Sequence, residues 1–119
     1  MRPRLLVPLI VVLAVALEVA PASGGSGAQI SKNKSVSVRD DVFSPKRVAV
    51  GRNGTVVWRW KGENAHNVKF RRVPNGASKR GSKLQSSGRF ARTFSKRGTY
   101  RYVCTIHEDL GMKGTVSVQ

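Results

Sequence analysis

The chain has 119 residues and a formal net charge of +16, from 22 basic and 6 acidic side chains. This length corresponds to one small domain with a removable or flexible end. Because Cys104 is the only cysteine, an internal disulfide is excluded, and this thiol must be free, bridged to another chain or used as a ligand.

The N-terminus has the parts of a secretory signal peptide. Two arginines precede an apolar run from Leu5 to Leu17, and Ala20-Pro21-Ala22 supplies the small residues of a cleavage site. A retained membrane anchor is the alternative, but a span needs about 20 apolar residues, and this run is shorter and contains a proline. We therefore expect residues 1–22 to be removed on export, which leaves a periplasmic or extracellular protein with no stable membrane span.

Residues 23–33 are rich in glycine, serine and other polar residues, a composition typical of a flexible segment. From residue 34 to residue 119, apolar and polar residues alternate over short runs that turn residues separate. The alternating residues of the first half are Val36, Val38, Val48, Val50, Val56, Trp58 and Trp60. Such runs predict the strands of an all-β sandwich or barrel, with these side chains facing the core.

The second half has the same alternation with one interruption. The polar and basic stretch from Ala77 to Ser87 has no period, and we predict a surface loop there. The apolar strand residues around this loop are Val68, Phe70, Phe90, Phe94, Tyr100, Tyr102, Cys104, Val116 and Val118. Since residues two apart along a strand share a face, the Cys104 side chain is expected to point inward with those of Tyr100 and Tyr102.

The rarest residue types of the chain lie together near its end. Cys104, His107 and Met112 fall within nine positions, and the second histidine, His66, follows the predicted tryptophan strand. A thiolate and two imidazoles hold both Cu(I) and Cu(II), and a weak axial thioether tunes the potential of such a site. Because these four ligands leave no position for a substrate or water, they predict electron transfer and not enzymatic catalysis.

Each of these residues also has an ordinary interpretation. A lone cysteine is often a buried core residue, a lone methionine fills a core, and a lone histidine is often a loop residue or a satisfied core imidazole. Zinc would accept the thiolate and imidazoles, but a thioether is a poor zinc ligand. A nucleophilic Cys104 with His107 as its base would give a substrate little access. Glu108 and Asp109 are more simply solvated loop carboxylates than ligands for a hard metal.

The sequence around these residues resembles the small blue-copper proteins of the plastocyanin type, the cupredoxins. GTYRYVCTIHEDLGMKGTVSV is similar to that family's C-terminal copper loop with its flanking strands, and AHNVKF is similar to the segment that holds its first ligand histidine. The similarity covers roughly residues 42–119. It implies an antiparallel Greek-key β-sandwich with one copper ion that cycles between Cu(I) and Cu(II). The ligands that it implies are His66, Cys104, His107 and Met112.

The resemblance also implies that Asn67 ties the two ligand loops together by hydrogen bonding. Two departures from the family pattern are informative. Val103 occupies the position where photosynthetic members have an aromatic residue on a side route for electrons, and the strongly basic chain lacks the acidic docking patch of the plant proteins. A photosynthetic role is therefore not implied.

The sequence thus predicts an exported, monomeric, mononuclear blue-copper protein that carries single electrons between redox partners. Its positive charge favours redox proteins with an acidic or membrane-associated docking surface. An exported protein is not expected to meet nucleic acid. Two other functions remain open: a protein that buffers or delivers copper, and a basic wall-binding domain with an incidental metal site.

Overall fold

The computed structural model describes residues 30–119 together with Pro3. Apart from Pro3, the predicted signal peptide lies outside the described residues, as does the predicted flexible segment up to residue 29. Within the described part, no helix is long and apolar enough to cross a membrane. Residues 30–119 form eight strands: β1 (Asn33–Arg39), β2 (Val42–Ser44), β3 (Arg47–Val50), β4 (Gly54–Trp60), β5 (Lys69–Arg72), β6 (Arg89–Phe94), β7 (Gly98–Val103) and β8 (Lys113–Val118).

The strands form two four-stranded sheets that enclose one core, so the predicted all-β sandwich is confirmed. The first sheet has the order β2-β1-β4-β6 and the second has the order β3-β8-β7-β5. The sheets are mixed, in contrast to the antiparallel sandwich expected, because β1 pairs with β4 in parallel and β3 pairs with β8 in parallel. Parallel neighbours require that the chain leaves a sheet and returns to it, and Greek-key connections between sheets do this.

The core lies between the sheets and is centred on Trp58. Its indole ring packs edge-on against Tyr102 and Phe70 of the second sheet, with ring centroids 5.3 and 6.1 Å away. Every side chain predicted to face the core is buried except that of Phe90, which is half-buried and packs against Trp58. One residue departs from the alternation: Val103 faces away from Tyr102 along β7, yet only 5% of it is exposed.

The strand order gathers three loops at one end of the sandwich. Because β1 and β4 run in parallel, the turn after β1 and the segment after β4 emerge at the same edge. Hydrogen bonds join them directly: the backbone N–H groups of Glu63 and Asn64 donate to the Asp40 carboxylate. The third loop follows β7 and contains a short 3₁₀ turn at Glu108–Leu110. This end of the sandwich therefore carries both histidines and the cysteine.

The segment predicted as a surface loop, Ala77–Ser87, contains none of the eight strands, and it also supports the site. Gln85 forms a two-way backbone pair with His66, with N···O distances of 2.9 and 3.1 Å. The backbone of the same loop also passes close to Val68 at Gly81, where a side chain would overlap the Val68 carbonyl oxygen. The loop therefore fixes the backbone of His66 through one isolated antiparallel bridge, which its irregular sequence did not indicate.

Candidate metal centre

Cys104 directly follows β7 and is fully buried, as its position on the inward face of that strand predicted. Its backbone N–H donates to the carbonyl of Met112 at 3.0 Å. The loop from Cys104 to Met112 therefore closes on itself at its base. Met112 is also fully buried.

His107 lies at the top of this loop, with 18% of its side chain exposed. Its backbone N–H donates to the Cys104 carbonyl at 3.2 Å, and its carbonyl accepts from Leu110 and Met112. Gly111 has a φ of 81°, in the left-handed region where glycine is favoured, and this lets the chain turn back after the 3₁₀ turn. The loop is thus held by its own backbone hydrogen bonds, with the imidazole fixed near the thiol.

His66 approaches from the other loop and is fully buried. Besides its pairing with Gln85, its carbonyl accepts a hydrogen bond from the indole N–H of Trp60 at 3.2 Å. The next residue, Asn67, joins the two ligand loops, because its side-chain oxygen accepts the backbone N–H of Thr105 at 2.8 Å. The bridging role expected of Asn67 is therefore present in the structure.

These contacts bring three potential ligand atoms together. Nδ1 of His66 and Nδ1 of His107 lie 3.1 Å apart, and the Cys104 Sγ lies 3.8 and 3.5 Å from them. A point equidistant from the three atoms lies about 2.0 Å from each, close to the bonds of a first-row ion such as Zn²⁺ to imidazole nitrogen (about 2.0–2.1 Å) and thiolate (about 2.3 Å). The donor atoms therefore have the spacing of a trigonal metal site.

Two carboxylates lie behind the histidines. Oδ1 of Asp40 lies 3.1 Å from Nε2 of His66, and Oδ1 of Asp41 lies 3.4 Å from Nε2 of His107. A carboxylate only accepts hydrogen bonds, so the Asp40 contact keeps the proton of neutral His66 on Nε2 and leaves the Nδ1 lone pair free. Asp41 favours the same tautomer of His107 electrostatically. Three electron-pair donors then face one another, an arrangement that suits a cation at their centre.

Asp40 also organises the loop in front of it. Hydrogen bonds from the Asn64 N–H, the His66 ring and the Glu63 N–H, in that order, hold the pKa of Asp40 below its usual value. A side chain at Gly62 would overlap the Asp40 carboxylate, so glycine at this position leaves the room that the carboxylate needs. Asp40 therefore fixes both the course of the loop and the orientation of the imidazole.

The sequence alone missed both aspartates. Asp40-Asp41 lies between two strands, where acidic residues are ordinary turn formers, and nothing local connects it to histidines 25 or more positions away. Glu108 and Asp109, considered as possible ligands, do not belong to the cluster of ligand atoms within residues 30–119, which consists of His66, Cys104 and His107. Glu108 is instead paired with Arg71 at 2.8 Å.

A β-sandwich with a thiolate and two imidazoles clustered at one end has the architecture of a cupredoxin. The family model described as copper binding proteins, plastocyanin/azurin family, matches residues 31–119. The chain is 35% identical to a plastocyanin of Scenedesmus fuscus over 85 residues, which covers 66% of this chain and 87% of that protein. It is 30% identical to a plastocyanin of Prochlorothrix hollandica over 115 residues, which covers 92% and 88% of the two chains.

The structure is similar to that of the oxidized form of plastocyanin from Dryopteris crassirhizoma, with a TM-score of 0.62 and 30% sequence identity. The similarity covers 71% of this chain and 99% of that one. The chain belongs to the plastocyanin/azurin family of copper-binding proteins. It is therefore a copper protein of the electron-transfer class, as its rare residues and the resemblance predicted.

Proposed function

We propose that His66, Cys104 and His107 would hold a single copper ion through two imidazole nitrogens and a thiolate, and that Met112 would supply a weak thioether contact. The spacing of Nδ1 of His66, Nδ1 of His107 and Sγ of Cys104 carries this proposal. When bound, copper supplies a one-electron couple between Cu(I) and Cu(II). The four residues leave no position for a substrate, so we infer an electron carrier and not an enzyme.

The protein's own residues adapt the site to this role. Three of the four proposed ligands, His66, Cys104 and Met112, are fully buried, which keeps water from the inner side of the site. Hydrogen bonds through Asp40 and Asn67 hold the ligand loops in one arrangement, and a fixed arrangement reduces the reorganisation that accompanies each change of charge. Rapid exchange of electrons with little structural change follows from this rigidity.

The outer edge of the site suits contact with a partner. His107 is the ligand with access to solvent, and the exposed apolar side chains of Ile106 and Leu110 lie on the same loop, with exposures of 54% and 68%. An apolar surface around an exposed ligand lets another protein approach closely and exclude water. We infer that electrons enter and leave through the His107 edge.

We further propose that residues 1–22 are a signal peptide, that residues 23–33 are a flexible segment and that residues 34–119 are the cupredoxin domain. The mature protein would then be a periplasmic or extracellular monomer that exchanges electrons with redox proteins. The charge, apolar run and small-residue cleavage site at the N-terminus support this proposal. The mass of the protein recovered after export tests it, because cleavage after Ala22 leaves a chain that begins at Ser23.

The visible spectrum of the copper-loaded protein tests the ligand set. We expect an intense blue thiolate-to-copper band that is lost in Cys104→Ser, and a band that remains in Met112→Leu with a changed reduction potential. A folded, copper-exposed protein without such a band would overturn the electron-transfer proposal. Ready loss of Cu(I) to a chelator, together with slow electron exchange, would instead support copper buffering or delivery.

A further inference from the structure

The outer face of the second sheet carries a basic cleft of about 510 Å³. Its basic residues come from all four strands of that sheet: Arg47, Arg71, Arg72, Arg101 and Lys113. Val103 and Glu108 also line it. We propose that this cleft, hereafter the basic cleft, is the docking surface for an acidic surface of a redox partner protein. The proposal rests on the electron-transfer function and adds the location and chemistry of the partner contact.

The strand register explains how the positive charges come together. Arg72 lies opposite Arg101 across the β5–β7 pair, and Thr115 separates Arg101 from Arg47 in the neighbouring strands. The next row, nearer the copper end, places Val103 between Lys69 and Lys113. Like charges directly opposite each other destabilise a sheet, so this arrangement costs stability that a neutral surface would not.

An irregularity in β5 adds to this concentration of charge. The pairing with β7 shifts between Phe70 and Arg72, so Arg71 is an extra residue in that strand. In a regular strand the residue two after buried Phe70 would face the core, but here both Arg71 and Arg72 are exposed. The bulge therefore turns two consecutive arginines toward solvent.

Most of this charge has no partner within residues 30–119. Arg71 is paired with Glu108, but no carboxylate of the described part lies within ion-pair distance of Arg47, Arg72, Arg101 or Lys113. All five acidic residues of that part lie in the loops at the copper end: Asp40, Asp41, Glu63, Glu108 and Asp109. The molecule is therefore electrically asymmetric, and an acidic partner is attracted to the cleft more than to the acidic loops.

The cleft is also close to the copper site. Two residues that line it adjoin proposed ligands in the chain: Val103 precedes Cys104, and Glu108 follows His107. A protein seated in the cleft therefore lies beside the loop that holds three of the four proposed ligands, Cys104, His107 and Met112. The concave shape suits a projecting cluster of carboxylates better than the plane of a lipid bilayer, which favours a protein partner.

The first sheet provides a matched control. Arg59 lies opposite Arg89 across the β4–β6 pair, and both side chains are exposed. This pair is comparable to Arg72 and Arg101 in residue type and register, but neither of its members lines the cleft. Replacing either pair by glutamates changes the net charge equally, so the two double variants separate a local docking surface from general attraction to a basic protein.

The test is a titration of the copper-loaded Cu(I) protein with an oligoglutamate peptide, followed by NMR amide shifts. We expect the peptide to shift the amide signals of β5, β7 and β8. We also expect R72E/R101E to weaken peptide binding at least about tenfold relative to R59E/R89E. The charge-conserving R72K/R101K should keep most of the affinity, which controls for damage to the sheet. The same titration of metal-free protein separates a failure to dock from a failure to bind copper.

A second probe links docking to electron exchange. Hexacyanoferrate(III), an anion, takes one electron from the reduced protein and becomes hexacyanoferrate(II), and we expect R72E/R101E to slow this step more than R59E/R89E does. Equal effects of the two double variants in both measurements would overturn the proposal. Loss of binding to phosphatidylglycerol vesicles in R72E/R101E, with unchanged oligoglutamate binding, would also overturn it and assign the cleft to a membrane surface.

Discussion

Oδ1 of Asp40 lies 3.1 Å from Nε2 of His66, and the same carboxylate accepts the backbone N–H groups of Glu63 and Asn64. One side chain in the turn after β1 thus orients a proposed copper ligand and holds the loop that carries it. Groups that orient metal ligands typically change metal affinity about 10–100-fold when they are removed. Asp40 is therefore a positioning residue for the site.

Asp40→Ala should lower the affinity for Cu(I) by about 10–100-fold, because the His66 N–H and two backbone N–H groups lose their acceptor. Asp40→Asn keeps an oxygen acceptor, so its affinity for Cu(I) should lie between those of Asp40→Ala and the wild type. Competition with a Cu(I) chelator measures the affinity, and ¹⁵N shifts of the metal-free protein report the His66 tautomer. Asp109→Asn, an exposed carboxylate on the other loop, is the control; equal affinities of Asp109→Asn and Asp40→Ala would contradict the role of Asp40.

Gly62→Ala should reproduce part of the Asp40→Ala effect without removing the carboxylate. A Cβ at position 62 overlaps the Asp40 side chain, so the loop or the carboxylate must move, at a cost of about 1–3 kcal/mol in the free energy of unfolding. Urea unfolding of the metal-free variant measures this cost. Gly51→Ala is the matched control, because its Cβ would have only ordinary contacts, the nearest at 3.7 Å. Similar losses in both variants would show that Gly62 has no special relation to Asp40.

The lowered pKa of Asp40 predicts a particular dependence of stability on pH. The folded pKa of this carboxylate lies below its usual 3.8, so the ionised carboxylate stabilises the fold at any pH above 3.8. This stabilisation is lost as the pH falls through the folded pKa. We expect the unfolding midpoints of metal-free wild type and Asp40→Asn to differ at neutral pH and to converge under strongly acidic conditions. Midpoints that stay equally far apart at every pH would exclude this linkage.

Much of the fold followed from the sequence because period-two alternation depends on one physical fact, the burial of one face of each strand. Val56, Trp58 and Trp60 indicated β4 and its inward face without any knowledge of its neighbours. Which strands are adjacent was not predictable in the same way. The parallel pairing of β1 with β4 depends on connections that cross between the sheets, and no local pattern encodes it.

The same distinction applies to the site. Cys104, His107 and Met112 could be found because they are rare residue types within one short loop, and His66 because it is the one other histidine of the chain. Asp40 could not, because aspartate is common in turns and its contact with His66 spans 26 positions of the chain. The basic cleft likewise depends on strand register and on the bulge in β5, so in the sequence its arginines were indistinguishable from solvated surface charge.

Tyr102 offers a test of the core beneath the copper site. Burial raises the pKa of Tyr102 to about 12, and the neighbouring Trp58 indole lowers it only in part. Within residues 30–119 no hydrogen bond of good geometry reaches the Tyr102 hydroxyl or the Trp58 indole N–H. Tyr102→Phe should therefore be neutral or stabilising by about 1 kcal/mol near pH 7. Tyr100→Phe is the control and should cost about 1 kcal/mol, since the Tyr100 hydroxyl donates to the Lys96 carbonyl at 2.7 Å.

The pH dependence of the Tyr102 variant has the opposite sign to that of Asp40. The folded pKa of Tyr102 lies above its usual 10.0. The contribution of the protonated Tyr102 to the free energy of unfolding is therefore complete below pH 10.0 and is lost as pH rises toward about 12. Wild type should therefore lose stability over this range relative to Tyr102→Phe, as urea unfolding at alkaline pH would measure. A Tyr102→Phe variant that loses as much stability as Tyr100→Phe at pH 7 would indicate that the hydroxyl makes a favourable contact.

Leu110→Glu should slow electron exchange while leaving the copper spectrum unchanged. The Leu110 side chain is 68% exposed on the His107 loop, so a charge there obstructs close approach of a second protein without touching a ligand. Electron self-exchange between the Cu(I) and Cu(II) forms, measured from NMR line widths, requires no identified partner. Ile30→Glu is the control, because Ile30 is also exposed but precedes β1 at the opposite end of that strand from Asp40. Equal slowing in both variants would place the point of electron exit away from His107, and the basic cleft beside Val103 would then be the next surface to test.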